Sequence, residues 1–388
     1  MKKIVIITQR AGYPNGYGAT SILKKYAKGF ITLGFNVDIL ILKPSEISHN
    51  QKINKDISGI SEEVTFKYLC LRTVTSRLRV IRILLHFIGL LGLIFYMFRN
   101  KSNIDTIFFY SPESFLSSKV TNILGQVFRV KVIGIKTESS LSDISKKKIK
   151  NLVRHENRIF KQFTKMITIS HYLKQQLLTF QYKGNIDVIP IIIEEKEISG
   201  TYNERNKNLV YIGSLSYNDD LINLITIYSK FKLNNPTWKL DIYGEFNSIT
   251  EKNKIMKVIS QQFLADSITF HGYVNNVNVH KILCSSGIAV LPRTKDESSN
   301  AGFPIKLGEY LVSGIPTVSF NIGELSSYLV NERDMILVAE NKIADFVDAL
   351  NRIVSNYSSF NQMGLSGRKT ALSYFGATSI CKRMLNYE

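Results

Sequence analysis

The chain has 388 residues, 44% of them hydrophobic, with 50 Lys and Arg against 31 Asp and Glu. Its length is above the usual ceiling for one hydrophobic core, so two domains are expected, and the net charge of +19 points to an anionic partner without choosing among phosphates, nucleic acid and an acidic membrane surface. Cys70, Cys284 and Cys381 stand far apart among apolar residues, which argues against a disulfide framework or a thiolate metal site and fits a reducing cytoplasm.

The opening "MKKIVIITQRAGYPNG" has an apolar run only from Ile4 to Ile7, too short for a signal peptide's core, and reads as a first buried strand. "TSILKKYAKGFITLG" then reads as a helix and "NVDILIL" as a second strand. Residues 77–101 are the most apolar segment, yet the unbroken run Phe87 to Phe98 falls short of the roughly 18–20 residues of a membrane span. Two readings stand: a buried core helix, or a helix lying in a membrane interface with Arg77, Arg79, Arg82, Arg99 and Lys101 at anionic headgroups. "TIFFYS", "KVIGIK" and "MITIS" continue the rhythm of short β-branched runs between helical patterns, the signature of βαβ wiring and a parallel sheet. Between them, residues 144–165 place Lys147, Lys150, Arg154, Arg158 and Lys161 at helical spacing as a basic stripe, either a solvated face or a second membrane contact.

Past "VIPIII" the chain turns polar in "EEKEISGTYNERNKN", a linker, so the domains are set at 1–195 and 196–388. A second series follows: "NLVYIGS", "KLDIYGE", "SITFHG", "GIAVLP" and "TVSF", again separated by helical stretches and sufficient for a second doubly wound domain. Residues from about Asn361 onward read as helix that ends this domain, its last turns a candidate to cross back onto the first.

The stretch "AGFPIKLGEYLVSGIPTV" is the most informative. Pro304 suits the first turn of a helix running to about Ser313, and Gly314 with Pro316 stops it. Free N–H groups of Gly302, Phe303 and that turn favour an anion; Lys306 can neutralise phosphate, and Glu309, three residues on, can accept from a sugar diol. An ordinary exposed Lys–Glu pair is the competing reading. Arg293, directly after "AVLP", is a second candidate cation for the same crevice. Gly16 and Gly18 in "GYPNGYGATS" can let the backbone approach a substrate, although the spacing is not a strict GxGxxG, and Glu138, at the end of "KVIGIK", can meet a sugar. The acidic "NDD" at 218–220 begins a helix and is read as favouring its N-terminal dipole, not as a metal site; the six histidines show no ligand spacing either.

"GFPIKLGEYLVSGIPTV" resembles the nucleotide-sugar motif of the retaining family 4 glycosyltransferases of bacterial polysaccharide and lipid-linked glycan synthesis, and "PNGYGATSILKKYAKGF", "ITISHYLKQQL" and "LVYIGSL" resemble further landmarks of that family. The resemblance implies an α/β GT-B fold, two Rossmann-like domains facing across a cleft. The N-terminal domain would bind a glycan or lipid-linked acceptor and the C-terminal one a nucleotide sugar. It implies a retaining hexosyltransferase with no cofactor and no metal; a cytoplasmic location, with peripheral attachment to the inner face of a membrane as one alternative, is the expectation from the apolar run Phe87 to Phe98 and the basic stripe at 147–161. By the same resemblance Glu309 binds the donor ribose, Lys306 faces the diphosphate, and Gly302 and Phe303 contact the donor through their backbone. The chain departs from the pattern at Ala301, where a first glutamate is expected, and at Ser214, Asp219 and Asp220, where the family commonly places an arginine and a lysine. Lys306 and Arg293 are therefore expected to stabilise the departing diphosphate, with Glu138 as a further catalytic candidate. The alternatives are a GT-B nucleotide-sugar epimerase, a catalytically weak accessory protein, and a basic nucleic-acid-binding protein; against the last, no basic stripe carries interleaved aromatics, so no nucleic-acid partner is expected.

Overall fold

The structure is a computed structural model that describes residues 2–16, 18–46, 54–138, 146–195, 205–213, 215, 220–246, 248–274, 276–294, 301, 303–339 and 342–386, excepting the side chains of 146–150, 276 and 277. The chain divides into two compact units. Unit 1 comprises Met1–Ile192 and Ala377–Glu388, and unit 2 comprises Ile193–Gly376. The polar linker read at 196–204 lies outside the described residues.

Unit 1 is built on eight strands: β1 (Lys3–Thr8), β2 (Asn36–Ile41), β3 (Ser58–Ser61), β4 (Val64–Tyr68), β5 (Ile104–Tyr110), β6 (Lys131–Lys136), β7 (Lys165–Thr168) and β8 (Asn185–Val188), in the order β3-β4-β2-β1-β5-β6-β7-β8. All neighbours pair parallel except β3 and β4. The β1 run "KIVIIT" is apolar almost throughout because both sheet faces are covered: Ile4 and Ile6 enter one core cluster, Val5 and Ile7 the other. The covering helices are α1 (Gly18–Thr32), α2 (Arg79–Asn100), α3 (Phe115–Phe128), α4 (Lys146–Phe160) and α5 (His171–Thr179).

The long helix α2 has two apolar faces, one buried and one exposed. Leu85, Gly89, Leu90, Leu93 and Met97 are buried on one side, where an added Cβ on Gly89 would stand 2.2 Å from the Leu42 carbonyl oxygen. On the opposite side Val80, Leu84, Phe87, Leu91, Phe95 and Phe98 are between 51 and 77% exposed. The spacing of 4, 3, 4, 4 and 3 residues makes them one apolar stripe turned outward, the reverse of an ordinary surface helix. By length and composition α2 also qualifies as a membrane span. Of the basic stripe on α4, Arg154, Arg158 and Lys161 are exposed, with Arg158 over the Phe115 ring at 5.1 Å, while the Lys147 and Lys150 side chains lie outside the described residues.

Unit 2 has six parallel strands: β9 (Asn208–Ile212), β10 (Lys239–Tyr243), β11 (Ile268–Gly272), β12 (Ile288–Leu291), β13 (Thr317–Phe320) and β14 (Ile336–Val338), ordered β11-β10-β9-β12-β13-β14. Its helices are α6 (Leu221–Asn234), α7 (Ile249–Gln261), α8 (Asn276–Ser285), α9 (Ile305–Val312), α10 (Leu325–Tyr328), α11 (Ile343–Ser355) and α12 (Tyr357–Phe375). The last helix, α13 (Ala377–Leu385), belongs to unit 1, not unit 2: it packs on α1 so closely that a Cβ on Gly29 would meet the Ala377 carbonyl oxygen and Cys381 Sγ at 2.6 Å each. The extended residue Gly376 (φ −56°, ψ 144°) separates it from α12, so the helical stretch read from Asn361 is two helices, of which the last belongs with the first domain as the crossing-back alternative has it.

In both sheets the strand order reverses beside the first strand of its unit, between β1 and β5 and between β9 and β12. Open α/β sheets bind ligands beyond the carboxyl ends of their strands at such switch points.

Candidate functional site

The candidate donor site is assembled at the switch point of unit 2. Helix α9 starts one residue later than the sequence suggests, with Pro304 as the extended N-cap (φ −62°, ψ 118°), and it stops at Val312, followed by Ser313 and by Gly314 at φ +66°. Leu307, Tyr310 and Leu311 form the buried face, whereas Lys306 and Glu309 stay partly exposed on the adjoining one.

Two side chains one helical turn apart fasten α9 to the end of β9. Tyr310 Oη accepts from the Ile212 N–H at 2.9 Å and donates to the Ile212 carbonyl at 3.3 Å. Lys306 Nζ donates to Tyr211 Oη at 2.7 Å and stands 4.9 Å from the centroid of that ring. The ammonium is therefore held over the carboxyl end of β9 and beside the positive end of the α9 dipole, two features that both favour an anion. Gly213 makes room for it: a Cβ there would lie 2.3 Å from Lys306 Nζ and 2.6 Å from Tyr211 Oη. Neither Tyr211 nor Gly213 was singled out in the sequence; both follow from the contact of Lys306 with β9.

Phe303 is buried, its ring 4.5 Å from that of Phe375, and Ala301 is buried as well, so the position of the missing first glutamate offers a methyl group in a closed environment. Gly302, Ser214 and Asp219 lie outside the described residues. Arg293 is half-buried two residues past β12, the strand next to β9. The next residue, Thr294, donates from Oγ1 to Asp220 Oδ2 at 3.1 Å, tying the loop after β12 to the start of α6. Asp220 is thereby accounted for: it caps α6, accepting from the Asn223 N–H at 3.3 Å and from Asn223 Nδ2 at 2.8 Å. Among the described residues no group of three His, Cys, Asp or Glu side chains could hold a metal ion.

The remaining candidates lie in unit 1. Glu138 is exposed beyond β6; burial, and after it the Glu138 charge, pushes the neighbouring Tyr110 phenol up to about 12 against a hydrogen bond with Thr137. Gly16 packs beside Thr20, whose Oγ1 donates to the Gly12 carbonyl at 2.6 Å, and Gly18 opens α1 at a point where an added Cβ would meet no atom of the described residues beyond its own turn within 4 Å.

The fold is that of the GT-B glycosyltransferases. The chain is similar to sucrose-phosphate synthase from Thermosynechococcus elongatus over 99% of its length and 98% of that protein's, at 16% identity and a TM-score of 0.73. It is likewise similar to TarM (100% and 98% covered, 14% identity, TM-score 0.70) and to Anabaena HepE in complex with UDP-glucose (99% and 98%, 12%, 0.66). Residues 192–370 match the family described as Glycosyl transferases group 1, a stretch that contains β9, α9 and the whole Lys306 contact. Together the domain match and the fold support a GT-B glycosyltransferase. Comparison with curated protein sequences returned no match.

Proposed function

We propose that the chain is a retaining, metal-independent glycosyltransferase of the family 4 type. It transfers a hexosyl group from a nucleotide diphosphate donor held by unit 2 to a glycan or lipid-linked acceptor held by unit 1, in cell-surface polysaccharide or glycoconjugate synthesis. The observation that carries this reading is the Lys306 ammonium fixed by Tyr211 over the carboxyl end of β9. In glycosyl transfer the bond from the anomeric carbon to the phosphate oxygen breaks, a bond to the acceptor hydroxyl forms, and negative charge grows on the departing diphosphate. A preorganised cation and helix-terminal N–H groups stabilise that charge without reorganising in the transition state. Arg293, at the end of the adjacent strand, adds a second cation, and Glu309 accepts from the ribose hydroxyls.

The neighbours support the substrate class. HepE is described in complex with UDP and with UDP-glucose, a TarM variant with α-GlcNAc-glycerol and UDP, and WaaB as a lipopolysaccharide outer core galactosyltransferase. The engagement of Asp220 as a helix cap supports the reading in which Lys306 and Arg293, rather than a carboxylate-bound ion, neutralise the diphosphate. The outward stripe of α2 and the +19 charge support a peripheral position on the cytoplasmic face of an anionic membrane.

The test is a screen of nucleotide sugars against lipid-linked and soluble acceptors in EDTA, with product anomeric configuration read by NMR. Turnover with retention is expected. Loss of turnover in EDTA, restored by magnesium or manganese, overturns metal independence. Glu309→Gln is expected to weaken nucleotide affinity by about 1.5–3 kcal/mol, the worth of a charge-assisted hydrogen bond. Unchanged affinity by calorimetry removes Glu309 from the ribose.

A further inference from the structure

Unit 1 contains a second, unassigned cavity of roughly 570 Å³ over the carboxyl ends of β1 and β2. Arg10 and Lys43 enter it from the residues just after those strands, and Arg79, Arg82 and His86 from the first two turns of α2, with Glu46 the carboxylate in the wall. The Glu46 carboxylate is engaged by the Asn54 N–H at 2.5 Å. Arg10 reaches Glu113 only at 3.9 Å, and among the described residues Lys43, Arg79 and Arg82 form no ion pair. Four formal positive charges thus share one cavity beside the β1/β5 switch point.

The surroundings are ordered around this charge. His86 Nε2 lies 2.8 Å from Ser117 Oγ, which also accepts from Gln9 Nε2 at 3.2 Å, and Gln9 Oε1 accepts from the Glu113 N–H at 2.6 Å. Burial, then Lys43 and Arg10, pushes the His86 imidazole down to about 4, so it stays neutral near pH 7. Burial, then Arg10, also lowers the Lys43 ammonium, against the pull of Glu113. Cations that depress one another's protonation are a standing cost that a bound anion removes. Three guanidinium forks and an ammonium match the several oxygens of a phosphoryl group better than the two of a carboxylate. The volume is also far more than a phosphate ion fills, leaving room for what the phosphate is attached to.

We infer that this cavity binds the phosphoryl group of the acceptor, so that the molecule receiving the sugar is a phosphate or diphosphate ester. The inference rests on the reading of unit 1 as the acceptor domain of a glycosyltransferase. Its ester can be a membrane lipid or a soluble sugar phosphate, and the two are separable by experiment.

The full-length Lys306→Ala protein, whose candidate donor site is weakened, is titrated with inorganic pyrophosphate before and after adding Arg79→Ala and Arg82→Ala. Both arginines are exposed, and circular dichroism confirms the fold. Removing two charge-assisted contacts is expected to weaken pyrophosphate binding by at least about tenfold. Lys43→Met repeats the test from the strand side. Equal affinity in all three proteins overturns the site. Flotation with phosphatidylcholine vesicles, plain or doped with a polyprenyl diphosphate, and competition by glucose 1-phosphate then tell the sources apart. Doped vesicles alone retaining the protein assigns the lipid; competition without vesicle retention assigns the soluble ester. Nucleoside diphosphate binding by the wild type is measured in parallel. Arginine-dependent pyrophosphate binding with no nucleotide binding leaves an anion site and removes its assignment to an acceptor.

Discussion

An alanine at position 213 would bring its Cβ to within 2.3 Å of Lys306 Nζ and 2.6 Å of Tyr211 Oη, both ends of movable side chains and neither of them backbone. Gly213→Ala is therefore expected to leave the melting temperature nearly unchanged while displacing the ammonium from its seat, so that turnover falls toward that of Lys306→Ala. Tyr211→Phe removes the hydrogen bond that the Lys306 ammonium donates, worth about 1.5–3 kcal/mol for a charged partner, and is expected to cost about tenfold or more in turnover. Full turnover in Gly213→Ala would show that the seat described here is not the working position of Lys306. A second residue concerns stability alone. Asp334 is fully buried and accepts from Arg333 Nη2 at 2.7 Å, the Val330 N–H at 3.0 Å, Ser366 Oγ at 2.9 Å and Thr370 Oγ1 at 3.0 Å, which binds α12 to the turn before β14. Burial opposes its charge, but these donors outweigh burial and hold the carboxyl below the usual range. A depressed carboxylate contributes stability above its unfolded value and loses it as pH falls through the folded one. Asp334→Asn is thus expected to destabilise unit 2 by on the order of 3 kcal/mol at pH 7, with the deficit shrinking below about pH 4. A deficit that stays constant across thermal melts into the acid range would sink the assignment.

At the scale of elements, α2 shows why periodicity alone left two readings open. Its inner set, Leu85, Leu90, Leu93 and Met97, and its outer set, Leu84, Leu91, Phe95 and Phe98, are equally apolar, so the sequence carries no polar side from which to read a face. The hairpin β3–β4 was equally hard to read: its turn is made by Glu62 at φ 50° and Glu63 at φ 65°, where glycine or asparagine is the usual signal. By contrast, β1, β2, β5, β6, β7 and β9 to β13 were legible because each buries a short β-branched run between helices. The two faces of α2 predict opposite outcomes for substitution. Alanine at Gly89, normally worth about 1 kcal/mol of added helix stability, would press a Cβ against the Leu42 carbonyl and is expected instead to cost about 1–3 kcal/mol. Serine at Leu91, Phe95 and Phe98 is expected to leave thermal stability intact and abolish vesicle binding. Ile94, partly buried against the core, is left untouched in that test. A triple variant that unfolds would return the outer stripe to a role in packing.

Across the whole molecule, the parts of the candidate site that sequence revealed are those contained in one element, and the parts it hid are non-local. Lys306 and Glu309 stand three apart on α9 and announced themselves; Tyr211, which seats the lysine, is 95 residues away, and Arg10, Lys43 and His86 converge from two strand ends and a helix. Only the sheet order, reversing at β1/β5 and β9/β12, gathers such residues. The net charge of +19 belongs to this scale too, and it makes membrane attachment testable by salt. Screening shortens the reach of exposed charge from about 10 Å at 0.1 M to about 3 Å at 1 M, whereas apolar burial by the α2 stripe is not weakened by salt. Either signal alone gives weak, reversible attachment, so the membrane reading requires both together. Flotation with phosphatidylglycerol vesicles is therefore expected to be strong at low salt and to fall steeply toward 1 M, with pure phosphatidylcholine retaining little protein at any salt. If the wild-type protein ignores phosphatidylglycerol at low salt, the membrane reading fails. The positive charge would then serve a soluble acidic acceptor, and the cationic cavity of unit 1 would be the first place to look for it.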